Sequence, residues 1–193
     1  LFAYARDDGP VQLWDLTETP AMPLDLQRVL GAPGVVHVAH NYLFERTLLR
    51  ETGIAELPFT AWHCTMAQAL QHGLPGALEK LCAIFKIADE DAKQAQDSRR
   101  LIQLFCVPRP KHMKLRRATR HTHPEDWEKF KQYCVNDVTA MRAVAKKLPG
   151  WNLQPDERTL FELDGRINDR GVLLDDALAR AAVAATEAEQ KRL

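Results

Sequence analysis

The chain has no excess of charge of either sign: 26 lysines and arginines balance 26 aspartates and glutamates. Bulk charge therefore announces no nucleic-acid partner, and any basic surface must be local. Cysteine is scarce. Cys64, Cys82, Cys106 and Cys134 are far apart in sequence, which excludes a C-x-x-C zinc pair and a dense disulfide framework. Buried free thiols in a reducing cytosol are the expectation. His112, His121 and His123 cluster, but without a cysteine pair or a His-x-x-x-His helix they read as part of a solvated basic loop. No apolar run is long enough to cross a bilayer, so no membrane partner is expected. There is no internal repeat, no low-complexity tract and no secretory signal, since the chain opens Leu1-Phe2-Ala3-Tyr4-Ala5-Arg6 and runs into a turn. Leu1 is not an initiator Met, so the natural protein is expected to start earlier.

What is present is enough for a core. The 193 residues are 46% hydrophobic, which fits one domain of ordinary size and the edge of a second. Leu1–Arg6 and Val11–Asp15, joined by Asp7-Asp8-Gly9-Pro10, predict two strands around a tight turn. Leu24–Leu30 has helical spacing and stops at Gly31. Val35-Val36-His37-Val38-Ala39 reads as a strand buried on both faces, with a helix following from Tyr42 to Glu51. The junction residues thus sit at the C-terminal end of a strand, where open α/β sheets usually keep their sites. From Trp62 to Phe105 the pattern is helical in pieces, broken at Gly73-Leu74-Pro75-Gly76 and at Asp89-Glu90-Asp91. Residues 107–123 read as a loop carrying Arg109, Lys111, Lys114, Arg116, Arg117 and Arg120. A long helix toward Leu148 follows, with Thr122 and Glu125 as a capping box and Pro124 in the first turn. Further helices are expected over Asp156–Asp169, closing on Gly171, and after a cap at Asp175 or Asp176. The fold class is α/β.

Two features carry chemistry. Tyr133-Cys134-Val135-Asn136-Asp137 lies within the long helix, where residues four apart share a face. There a carboxylate can hold a divalent cation, and a phenol can orient the water that the cation activates. A surface Asp beside a packed Tyr fits the same spacing. Ala39-His40-Asn41-Tyr42-Leu43-Phe44-Glu45-Arg46 straddles the strand-to-helix junction. Glu45 there can reach a metal and the Asn41 amide can bind a phosphate or sugar. Equally, Asn41 can be an N-cap with Glu45 favoured by the helix dipole.

Taken together and in this order, the two features resemble the second and third motifs of the DEDD superfamily of 3′–5′ exonucleases, in the version with tyrosine in the third motif. Cys64-Thr65-Met66 resembles the helix start that often reads Asp-Thr-Met in DNA polymerase I relatives. Ala39-His40-Asn41, Phe44-Glu45-Arg46 and Leu101-Ile102-Gln103-Leu104-Phe105-Cys106 are similar to phage and prophage family A polymerases with a fused exonuclease. Leu163-Asp164 and Ile167-Asn168-Asp169-Arg170-Gly171-Val172-Leu173-Leu174-Asp175 resemble the entry to a family A polymerase domain.

The resemblance implies a ribonuclease H-like mixed sheet flanked by helices. It places an N-terminally truncated exonuclease domain at 1–149 and the start of a helical polymerase domain, covalently continuous with it, at 150–193. It implies two Mg²⁺ or Mn²⁺ ions, single-stranded DNA with a 3′ end as substrate, and the cytoplasm of a bacterial or phage-infected cell. Asp137 would ligate the ion that activates water, Tyr133 would orient that water, and Glu45 would help hold the second ion. Asn41 would contact substrate or order the acids. DNA contacts are expected at Asn41, His40, Phe44, Arg116, Arg117 and Arg120, although the basic loop also reads as an ordinary solvated one.

One element is missing. The superfamily's first motif, Asp-x-Glu on the first strand, is absent. Asp126-Trp127-Glu128 has the letters but lies in a helix's first turn, where acids are favoured for another reason. The first strand is therefore expected upstream of Leu1. Glu45 also stands where the superfamily usually has the shorter Asp. The alternatives are a ribonuclease D-like RNA exonuclease, against which the polymerase-like tail speaks, and a catalytically dead exonuclease fold that binds DNA or braces a polymerase.

Overall fold

The computed structural model describes residues 1–87, 94–110, 117–152 and 154–192, with the backbone alone for 94–97. The chain forms two compact units, Leu1–Gln154 and Pro155–Leu193. The first is mixed α/β.

Strands β1 (Phe2–Tyr4) and β2 (Gln12–Trp14) pair antiparallel, with Phe2 opposite Trp14 and Tyr4 opposite Gln12. The Asp-Gly-Pro punctuation between them makes the expected turn, closed by the Gly9 amide donating to the Arg6 carbonyl at 2.9 Å. Helix α1 (Leu24–Val29) follows, and Gly31 at φ +78° supplies the left-handed residue that ends it. Strand β3 (His37–Ala39) then runs through a corner into helix α2 (Leu43–Glu51), which crosses over to the parallel strand β4 (Trp62–Cys64). Parallel neighbours need such a crossover. The described strands thus make two separate two-stranded sheets.

Helices α3 (Thr65–Gln71), α4 (Leu78–Ile84), α5 (Gln94–Cys106) and α6 (Pro124–Lys147) complete the unit. Cys64 caps α3, its sulfur accepting the Ala67 amide at 3.4 Å. α6 packs against β1, β2, α3, α4 and α5. Its C-terminal half brings Val144 and Leu148 onto Ala69 and Leu81. Its N-terminal half brings Trp127 and Phe130 onto Leu101 and Phe105. Between α6 and β2 the Trp127 indole donates to the Asp15 carboxylate at 2.8 Å, while Thr17 donates to the other carboxylate oxygen from its amide and hydroxyl. Burial works against ionising Asp15, but the bonds from Thr17 and Trp127 together outweigh it and hold the carboxyl below its ordinary value.

Several expectations need correcting. Trp62–Cys64 is a strand, not helix: a three-residue segment shows no period, and its pairing with β3 is set by tertiary contact. The strand at Val35–Ala39 is not buried on both faces. Val36 and Val38 are 54% and 44% exposed, because their side of β3 opens onto a cavity rather than onto another layer. Thr122 does not cap α6. His123 occupies the N-cap without a side-chain bond, and the Thr122 hydroxyl accepts the Thr119 amide at 2.9 Å instead. Of the four free thiols only Cys64 is buried, and Cys106 is exposed. The expected break at Asp89-Glu90-Asp91 lies outside the described residues, as do Lys111, His112, Lys114 and Arg116 of the basic loop.

The second unit consists of α7 (Pro155–Arg170) and α8 (Asp176–Arg192). Gly171 at φ +68° ends α7. Asp175 caps α8 by accepting the Leu178 amide at 2.9 Å. Among the described residues no helix is long and apolar enough to cross a membrane.

Replacing Trp127 by Phe keeps most of the packing but deprives a buried carboxylate of a donor. The expected loss is about 1.5–3 kcal/mol, the range for hydrogen bonds to charged groups, measured by urea unfolding at pH 7. Because the folded pKa of Asp15 is depressed, its contribution is present above the unfolded value of 3.8 and is lost as pH falls through the folded one. The difference between wild type and variant should therefore shrink on acidification. A loss below about 0.5 kcal/mol at pH 7 would show that the bond is not a net stabiliser.

Candidate active site

The helical face bearing Tyr133 and Asp137 looks into a cavity of the first unit, about 1300 Å³ in volume, which His40 and Glu45 also border. Residues of β1, of β3 and of α6 all line it. The two sequence features that carry chemistry are thus brought together, although about ninety residues of chain separate them.

Tyr133 and Asp137 stand one turn apart, as their spacing requires, and the phenol donates a hydrogen bond to the carboxylate. The Tyr133 ring stacks on Phe130 with centroids 6.2 Å apart, and Phe130 stacks on Phe105 at 5.3 Å. A run of rings therefore leads from the core to the site and fixes the tyrosine's direction. Burial, and then the Asp137 charge, push the phenol's pKa up, so Tyr133 stays a donor. Burial also pushes the adjacent Cys134 thiol up to about 11, which leaves it unreactive as a nucleophile at neutral pH.

Glu45 comes from the first turn of α2. Its Oε2 is buried without a hydrogen-bond partner among the described residues. Burial pushes its carboxyl up to about 7, against the weaker opposing effect of its own backbone amide. Among the described residues no basic side chain offsets that burial. α2 itself is anchored from below by Arg46, which is buried, donates from Nε to the Leu57 carbonyl at 3.0 Å and lies 3.9 Å from the Phe59 ring centroid. Nothing in the sequence marked Arg46 for this role, since an arginine one residue after the acid reads as surface.

Asn41 occupies the corner between β3 and α2 at φ +67°. It is not the helix cap. Tyr42 holds that position and no side chain caps the helix. Asn is among the few residues that take the left-handed conformation at modest cost, and its side chain is left exposed. Phe44 is 62% exposed. His40 is engaged by the protein, with Nδ1 2.9 Å from the Thr65 hydroxyl and Nε2 2.8 Å from the Gly76 carbonyl. Asn41, Phe44, Arg117 and Arg120 do not border the cavity, and Arg120 pairs with Glu18 at 3.2 Å. Asp126, of the Asp-x-Glu look-alike, is held by Arg100 at 2.7 Å. Arg142 and Lys146, which do line the cavity, escaped sequence reading. Their partners are across the fold in the β1–β2 turn, the Gly9 carbonyl at 2.8 Å and Asp8 at 2.5 Å.

The donor set suits a divalent cation in part. Two carboxylates face one cavity, and the orphaned buried oxygen of Glu45 is what a cation would satisfy. Among the described residues, however, no three or more candidate ligands cluster, so the pair alone is short of the negative charge that two ions would require.

The fold and site define a mixed α/β unit with an acid-and-phenol cavity bordered by both sheets. Over its whole length the chain is 35% identical to the DNA polymerase of Bacillus phage SP02, of which it spans 30%. It is thus related in sequence to part of a phage DNA polymerase. No family model matches the chain, and no solved structure matches it.

Glu45→Gln should reveal the uncompensated acid. An acid whose folded pKa is raised destabilises the fold progressively as pH rises from 4.5 through about 7. In chelator, the variant is expected to be more stable than wild type at pH 8, by on the order of 2 kcal/mol, and equal to it at pH 4. Thermal melts at both values test this. A variant less stable than wild type at pH 8 would mean that Glu45 already has a countercharge.

Proposed function

We propose that residues 1–149 form the 3′–5′ exonuclease domain of a phage-type DNA polymerase, with 150–193 beginning the polymerase domain. The observation that carries this reading is that Glu45, Tyr133 and Asp137 border one cavity, with the Tyr133 hydroxyl bonded to Asp137. The kinship with a phage DNA polymerase supports it. The substrate is the 3′ end of single-stranded DNA and the reaction is hydrolysis of its terminal phosphodiester, as in proofreading. The fold on this reading is ribonuclease H-like.

Glu45 and Asp137 would hold Mg²⁺ or Mn²⁺. The ions, when bound, supply an activated water and neutralise charge on the phosphate. Tyr133 cannot act as a base, because its pKa is raised. Its hydroxyl instead orients the attacking water, and its bond to Asp137 fixes the direction of that carboxylate. Asn41, exposed at its corner, contacts the substrate. Phe44, Arg117 and Arg120 do not border the cavity, and they suit the flanking strand rather than the scissile bond.

The remaining acids come, on this reading, from a strand outside residues 1–193. Three observations support it. Among the described residues β1 and β3 each have a strand on one side only, both border the cavity, and the exposed Val36 and Val38 border it too. A strand edge left open is a template for another strand. Because described residues supply no three-ligand cluster, the chain by itself also suits a second reading, a DNA-binding brace without catalysis.

In the full-length protein Asp137→Ala is expected to abolish 3′-end trimming of labelled single-stranded DNA and leave the melting temperature within a few degrees of wild type, since the exposed Asp137 leaves no core cavity. Tyr133→Phe should slow single-turnover hydrolysis by about 10²–10⁴, typical for a group assisting proton movement or nucleophile placement. Normal trimming by the first variant would sink the assignment, and an unchanged rate in the second would return Tyr133 to packing.

Residues 1–193 alone should trim DNA poorly, while protein extended upstream of Leu1 trims it well, in Mg²⁺ or Mn²⁺. Equal rates would place all the required acids within this chain. An inactive extended protein that still binds DNA would favour the bracing role, and preference for RNA would favour the ribonuclease D-like alternative.

A further inference from the structure

His40 stands between the last residue of β3 and the strained corner at Asn41. Its two ring nitrogens have partners of fixed character. The Gly76 carbonyl can only accept, so Nε2, at 2.8 Å, carries the proton. Burial lowers the pKa of this histidine and favours a single ring proton. Nδ1 is then an acceptor and the Thr65 hydroxyl, at 2.9 Å, donates to it. Thr65 is 0% exposed, with the Ala39 carbonyl farther from its hydroxyl at 3.3 Å. The loop carrying the Gly76 carbonyl packs on α3, since a Cβ on Gly76 would be in ordinary van der Waals contact with Met66 Cγ at 3.4 Å.

Asparagine takes φ +67° more readily than most residues but still not freely, and such a corner persists where its surroundings over-determine it. Asn41 is held from both sides. After it, Tyr42 is 1% exposed and stacks on Trp62 with centroids 5.4 Å apart and planes 13° apart. Before it, the imidazole is clamped between α3 and the loop that follows α3. The same corner sets where α2 starts, and hence where Glu45 enters the cavity.

We propose that His40 is a positioning residue. Clamped by Thr65 and Gly76, it holds the corner that presents Asn41 to substrate and Glu45 to the cavity. Its ring has no nitrogen left for DNA, contrary to the contact role expected from its place in the motif. The catalytic part of this inference rests on the exonuclease reading, but the clamp does not.

Two measurements separate them. In the ¹⁵N-labelled 193-residue chain at pH 7, imidazole nitrogen shifts should show one histidine locked as the neutral Nε2–H tautomer, and that signal should vanish in His40→Ala. Amides of residues 42–45 should exchange about 2- to 10-fold faster in Thr65→Val, the worth of one net hydrogen bond. A His40 ring that averages between tautomers, or unchanged exchange, overturns the clamp whether or not the protein cuts DNA. In the full-length protein, Thr65→Val should lower kcat on single-stranded DNA about 10- to 100-fold, as loss of an outer-shell partner typically does, with KM unchanged. Thr65→Ser, which keeps the donor, should restore most of the rate. A raised KM at unchanged kcat would make this group a DNA contact instead, and a Ser variant as slow as Val would reduce Thr65 to packing. Either result overturns the positioning role. Absence of trimming in wild type would sink the exonuclease reading while the tautomer still decides the clamp.

Discussion

The bond from the Trp127 indole to the buried Asp15 carboxylate fixes α6 against the β1–β2 hairpin. Much else depends on where α6 lies, because the helix also packs on α3, α4 and α5. Its N-terminal half is seated by rings, with Trp127 edge-on to Phe105 at 4.9 Å and Phe130 stacked on the same phenylalanine. Tyr133 continues that stack. The phenol and its carboxylate partner thus inherit their position from the core, which is how a site gains precision from rigid elements rather than loops.

Across the cavity the logic differs. Glu45 sits where burial penalises its charge, and among the described residues one of its oxygens has no hydrogen-bond partner. Local stability would favour a neutral side chain there. Tyr133 is also held protonated, by burial and by the neighbouring Asp137. A site with one acid pushed toward neutrality and another bonded to a phenol is electrostatically unfinished, and a cation would finish it. This agrees with the metal-dependent hydrolysis proposed above, and with the need for further acids.

The same incompleteness appears in the backbone. Val36 and Val38, before and within β3, suit a central strand, yet they are exposed and border the cavity, which β1 also borders. The corner that follows β3 carries a left-handed asparagine held by a clamped histidine before it and a stacked tyrosine after it. Strain of this kind concentrates where a side chain must be presented at a fixed angle.

The sequence by itself determined the local elements and the two halves of the site. Alternation and turn residues specify the first hairpin, Gly31, Gly53 and Gly171 take the left-handed conformation near helix ends, and Tyr133 and Asp137 share a face because the helix repeat puts them there. These are short-range effects, decided within a few residues. Tertiary structure alone decided the rest. β4 is a strand because β3 pairs with it, not because three residues have a period. Thr122 lost its capping role to a competing bond with Thr119. His40, read as a DNA contact, has both nitrogens taken by groups 25 and 36 residues away. Arg46 and the Trp127–Asp15 bond were invisible for the same reason: the worth of a buried polar group depends on which partner the fold places against it, and sequence separation carries no trace of that.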